Sequence, residues 1–302
     1  MLALLSALAC VAPKPSAAAD TPCDTPTQTQ VVVVSKMTFT RRVDGVSKGF
    51  DLDNHVSDTN DAEGCFQEDL VDPNGKPGID STFSAFLPVL EASEGAALEG
   101  LLQDAIDAGR VLVLFELEDV DDAANDTCVN LDVLGGVGTP RLGTDGTLLS
   151  GQTFDVDTSL PESRADGLAL TDGVLEAQGL ELTIPIQIFE ISFGLALHDV
   201  AVHIELDALG NATGYLGGGF AVEQIIEILE PRDDIDIKDL AIDLLRTSAD
   251  LNPDATTGAC PDLSVVLEFE ATSAFVYEAP PADTGDTSDT GNDTSAGDAA
   301  AR

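Results

Sequence analysis

The densest run of possible ligands is GFDLDNHVSDTNDAEGC, residues 49–65. Asp51, Asp53, Asp58, Asn60, Asp61 and Glu63 fall in this one loop-like stretch. Oxygen donors two residues apart in a loop suit calcium, which takes about six to eight oxygens in flexible geometry. The frame is not an EF-hand, since it lacks the Gly at position six and the Glu at position twelve. A second candidate runs from Asp72-Pro73-Asn74-Gly75 to Asp80, although Asp-Pro-Asn-Gly is first of all a turn signal. The expectation is a structural calcium ion held by Asp51, Asp53, Asp58, Asn60, Asp61 and Glu63. Salt adaptation competes with it, because a highly acidic surface stays solvated at high ionic strength and needs no ligand.

The first loop ends at Cys65 and carries Asp-x-Asp spacing, so it loosely resembles the acidic calcium loops of thrombospondin type 3 repeats, with one unit present. Motifs for other chemistry are missing. There is no GxSxG elbow, HExxH, Walker loop or GxGxxG after a strand. Of the three His, His198 and His203 lie on opposite faces of a regular strand and would not share a metal. Gly217-Gly218-Gly219 reads as close packing rather than an anion site. Carboxylates are so abundant that no particular pair singles out glycoside hydrolysis. Without Trp and with two Tyr, the chain is poorly supplied for sugar stacking or an aromatic hot spot.

The charge balance excludes more. Lys plus Arg total 13 against 55 Asp plus Glu, a formal net charge of -42. That field has the wrong sign for nucleic acid or for anionic lipid. Residues 1–19 read as an export segment with a short apolar run, far below the roughly 18 residues of a membrane span. Either cleavage follows Ala17-Ala18-Ala19, or Cys10 is a lipidation site that would anchor the chain. Both routes remove Cys10 from the thiol count. Cys23, Cys65, Cys128 and Cys260 remain, an even number suited to disulfides in an oxidising compartment. Four Cys allow three pairings. Cys65 with Cys128 is preferred, since both sit in acidic loops flanking one helix-strand unit.

Residues 20–30 read as a linker and 279–302 as a disordered, Asp-Thr-Gly-rich tail. Residues 31–278 form the expected single domain. Val31 to Arg42 reads as a strand and 94–108 as a helix capped by Ser93. Arg110 to Glu118 reads as a strand buried on both faces. From Leu180 to Asp207 the apolar parity reverses twice, which requires turns or bulges. Two helical stripes follow: Val222, Ile225, Ile226 and Leu229, then Ile237, Leu240, Ala241, Leu244 and Leu245 with Asp236 as cap. Leu263 to Tyr277 alternates as a strand. The fold class expected is α+β, mainly antiparallel sheet with about three helices packed on one side.

GFDLDNHVSD, NGKPGID at 74–80, NDTCVNLDV at 125–133, SGQTFDVD at 150–157, YLGGGFAVEQII at 215–226 and the DTG tail together resemble uncharacterised exported proteins and lipoproteins of myxobacterial type. The resemblance is one of pattern and composition. It implies export and a shared β-rich domain, and brings no catalytic residue. The function expected is a non-catalytic structural or binding protein of the cell envelope or secretome, stabilised by disulfides and calcium. One alternative is an apolar-ligand module with a pocket lined by Ile184, Ile186 and Phe193. Another is a hydrolase of unrecognised type, with carboxylates of raised pKa converging in one cleft.

Overall fold

A computed structural model describes residues 23, 28–91, 98–188, 191–233 and 238–277. The export segment with Cys10, the caps expected at Ser93 and Asp236, and the tail lie outside the described residues. Strand alternation sets the architecture. The long strands are β1 (Gln30–Phe39), β4 (Val113–Glu118), β5 (Asn125–Val137), β7 (Ser163–Thr171), β8 (Val174–Ile188), β9 (Ile191–Leu206), β10 (Ala212–Ala221) and β11 (Asp262–Tyr277). β1 pairs with β4, β4 with β5, β5 with β7, β7 with β8, β8 with β9, β9 with β10 and β10 with β11. β11 returns to β1, with Val31 opposite Ala274. Every pairing in this circuit is antiparallel, so the sheet closes on itself in the manner of a barrel.

A short strand, β6 (Gln152–Val156), lies outside the circuit. It is antiparallel to β5 at Gly136 and parallel to β11 at Ala274. This makes a second, smaller circuit that shares β1, β4, β5 and β11 with the main one. Val32, Val34, Phe115, Leu117 and Leu131 face the main interior, while Val31, Val33, Leu114, Leu134 and Phe154 form a second buried cluster. β1 and β4 are therefore buried on both faces, which explains the unbroken apolar runs VVVV and VLVLF. The main interior is filled by side chains. Leu175, Leu180, Leu197, Ile204, Leu216 and Leu263 are all at most 1% exposed.

The helices occupy two connections. α1 (Leu87–Glu91) and α2 (Leu98–Asp107) precede β4; α3 (Val222–Leu229) and α4 (Lys238–Ser248) join β10 to β11. Ile106 of α2, Ile226 of α3 and Leu245 of α4 all enter the main interior cluster. The mainly-β, α+β expectation holds in that coarse form. It differs in that the sheet is closed and contains one parallel pairing.

The parity reversals have their physical cause. β8 and β9 are a hairpin, with Ile188 opposite Ile191, which accounts for the first. At the second, Leu197 and Val200 both point inward across Asp199, which has φ +51°. The ladder to β10 shifts there, between Gly217 and Gly219. α4 matches the expected stripe in part: Leu245 is buried and Leu244 packs on the core, while Ile237 lies outside the described residues. Ile242, Leu245 and Ala249 are buried, whereas Leu240 is exposed. Ile242 and Leu245 share one helical face, and the buried run continues past the helix end into Ala249 and Asp250.

The preferred disulfide is corrected. Cys65 bonds Cys260, and Cys23 bonds Cys128. Cys128 opens β5 beside the N-terminal approach to β1, where Val120 N–H also donates to Gln28 O at 3.1 Å. Cys23, in the stretch read as a linker, is thus cross-linked to the barrel.

Candidate metal centre

Residues 40–81 pack on the outer face of β9, β10 and β11. Phe50 forms a bridge to Asp80, whose N–H donates to Phe50 O at 2.8 Å. This contact brings the residues after Phe50 beside the end of β3 (Pro77–Ile79), the partner of β2 (Leu70–Val71) in a small hairpin. Asp72 builds that hairpin's turn by accepting from Asn74 N–H and Lys76 N–H. Gly78, at φ +86°, lets the chain pass Asp51: a β-carbon there would stand 3.3 Å from Asp51 Oδ2.

Carboxylate oxygens of Asp51, Asp53 and Asp80 consequently lie within 4.8 Å of one another. The first loop supplies two of them, and the far end of the second candidate supplies the third. Leu52 N–H donates to Asp80 Oδ2 at 2.6 Å, and His55 N–H to Asp53 Oδ1 at 2.8 Å. Asp80 is 3% exposed. Burial pushes its pKa up to about 8 against the pull of the Leu52 amide, and the charges of Asp53, Asp250 and Asp69 add to the rise. Asp53 is also raised, first by burial and then by Asp51. Asp69 rises to about 6 for the same reason, although it accepts Ser57 N–H at 2.6 Å. A hollow of about 310 Å³ adjoins Asp51, lined also by Asn54, Gln178 and Asp199.

The remaining expected ligands do other work. Asp58 accepts from Asn60 N–H and Asp61 from Glu63 N–H, so both close local turns. Asp61 Oδ2 meets His55 Nε2 at 2.6 Å. That hydrogen bond raises the His55 pKa and lowers that of Asp61. Asn60 and Glu63 are exposed. Of the six residues expected to share an ion, two converge, and they do so on Asp80. The convergence spans about thirty residues and depends on one strand bridge, so local spacing carried no sign of it.

The histidines are also revised. The bulge at Asp199 flips parity between His198 and His203 and puts both on the outer face, His203 stacked on Tyr215 at 4.8 Å and His198 against Gly219. Four residues of β10 separate those positions, roughly 13 Å, so they still share no metal. His203 lies between Glu176 and Glu205; His198 lies between Asp199 and Asp262. Gly217 and Gly219 admit Phe50, His198 and Leu251, which is the close packing expected of the glycine run. No protein-family model, curated protein or solved structure matches the chain.

Proposed function

We propose that the chain is an exported, non-catalytic structural or binding protein of the cell envelope or secretome, as its resemblance to exported myxobacterial proteins implies. The observation that carries this reading is the pairing of Cys23, Cys65, Cys128 and Cys260 into two disulfides. Disulfides persist in oxidising compartments and are rare where thiols are kept reduced. Both bridges fasten peripheral segments to the barrel, which suits a protein that must hold its shape without chaperones. The filled interior agrees with a scaffold role. An apolar-ligand module would need Ile184 to line an open pocket, and Ile184 is packed in the main core.

The test is cysteine accessibility. Protein recovered from the envelope or medium of the producing cell is denatured without reductant and treated with a maleimide of known mass. No label on these four cysteines supports the reading, and two or more labelled thiols would sink it. A hydrolase remains the second reading, because carboxylates with raised pKa do converge. Glycosidase carboxyl pairs stand about 5–9.5 Å apart to admit a sugar and water. Turnover of chromogenic glycoside or ester substrates, lost in Asp53→Asn, would favour the enzyme.

A further inference from the structure

The centre contains one buried oxygen that the chain itself leaves without a partner. Among the described residues the Asp51 carboxylate accepts no hydrogen bond, and its Oδ1 is wholly buried. Asp80, at 3% exposure, receives one donor, the Leu52 amide on Oδ2. No Lys or Arg among the described residues is paired with Asp51, Asp53 or Asp80. Native structures leave few buried polar atoms unsatisfied, and clustered carboxylates repel one another unless something positive is shared between them. The three converging groups offer only oxygen, while the neighbouring His55 ring is held by Asp61 at 2.6 Å, and such a set selects hard divalent cations over zinc or copper. The ligands come from a loop and a strand end rather than a rigid octahedral cage, which favours calcium over magnesium. The hollow beside Asp51 leaves room for water to complete the shell.

We propose that Asp51, Asp53 and Asp80 hold one calcium ion, which joins the Phe50–Asp53 segment to the end of the β2–β3 hairpin. Asp58, Asn60, Asp61 and Glu63 are outside it. The proposal goes beyond the exported-protein reading, which is decided by the cysteines and stands or falls separately.

The experiment titrates the purified, oxidised chain with CaCl2 and with MgCl2 by calorimetry. Thermal unfolding is followed in EDTA, in CaCl2 and in NaCl of matched ionic strength. One calcium site is expected, with Kd on the order of 10⁻⁴ to 10⁻³ M as in extracellular modules. At a tenfold excess over Kd, calcium should raise Tm by about 3–6 °C beyond the matched salt. Asp51→Asn and Asp80→Asn should each weaken calcium at least tenfold, while Asp58→Asn and Asp61→Asn leave it unchanged. In EDTA, Asp51→Asn should unfold no earlier than the parent, since it removes an uncompensated charge. If Asp80→Asn does not fold, Asp51→Asn and Asp53→Asn decide the matter. Equal effects of calcium and matched salt would overturn the site, as would a loss in Asp58→Asn equal to that in Asp51→Asn. Equal affinity for magnesium would overturn the assignment to calcium.

Discussion

The ring of Phe50 rests on Gly217, where a β-carbon would come within 3.0 Å of Phe50 Cδ2 and 3.1 Å of Val266 Cγ2. The other side of Phe50 meets Tyr215, with ring centroids 5.0 Å apart. Phe50 is the last residue before the carboxylate centre and also bridges Asp80. Its seat on the barrel therefore fixes where Asp51 stands.

Gly217→Val should lift Phe50 from the sheet. Overpacking of this kind costs about 1–3 kcal/mol. The calcium response should weaken with it, although residue 217 offers no ligand. A variant that loses stability while keeping parental calcium affinity would show that the seat of Phe50 does not govern the centre.

The two disulfides should differ in what they protect. Cys65–Cys260 spans 195 residues and Cys23–Cys128 spans 105. Chain-entropy arguments assign each up to roughly 5 kcal/mol, with about 2–5 kcal/mol observed for native bridges in small secreted domains. Removing either pair as Cys→Ser doubles should lower Tm. Only the Cys65→Ser, Cys260→Ser double should also weaken calcium, because Cys65 closes the loop that begins at Asp51. Calorimetry on both doubles would expose any error in that assignment.

Asp250 should make acid stabilising over a limited range. It is buried beside Thr82 and β11, and accepts from Ser264 N–H at 2.7 Å and Thr82 Oγ1 at 2.7 Å. Burial raises its pKa from 3.8 to about 6 despite these donors. Between those values the folded state holds a proton that the unfolded state has released, so stability falls as pH rises through the window. In EDTA, Tm from pH 4 to 6 should slope downward from this term. Asp250→Asn should flatten the slope in part, since burial also raises Asp69 and Asp132 to about 6 and Asp80 to about 8. An unchanged slope in the variant would count against the assignment.

The interior and the turns should respond oppositely to truncation. Leu117 is fully buried in the main core, whereas Leu209, in the β9–β10 turn, is 83% exposed. Leu117→Ala should cost about 2–5 kcal/mol. Leu209→Ala should stay within about 0.5 kcal/mol. Chemical denaturation of both variants gives the comparison directly.

What the sequence disclosed followed the range of the interactions involved. The reversal of parity around His198 foretold a bulge, because side-chain alternation is strictly local. The turn after β9 is equally local, with Asp207 Oδ1 accepting from Leu209 N–H and Asn211 N–H. The inward face of α4 was legible at Leu244 and Leu245 but misread at Leu240, because Leu240 fits a stripe as well as Ile242 does, and only packing against the barrel chooses. Asp80 and the partners of the cysteines depend on contacts between distant segments. Closure of the sheet had no local signature either, since it joins the first long strand to the last.

That closure governs how the protein can come into being. Val31 opposite Ala274 is a contact between residues at nearly opposite ends of the described residues. Such pairings give high contact order, and loop-closure entropy must be met before they form. β1 therefore waits, with one ladder edge unclaimed, until β11 has been synthesised. The barrel cannot close before residue 277 has been made, so its completion comes after the synthesis of every other strand.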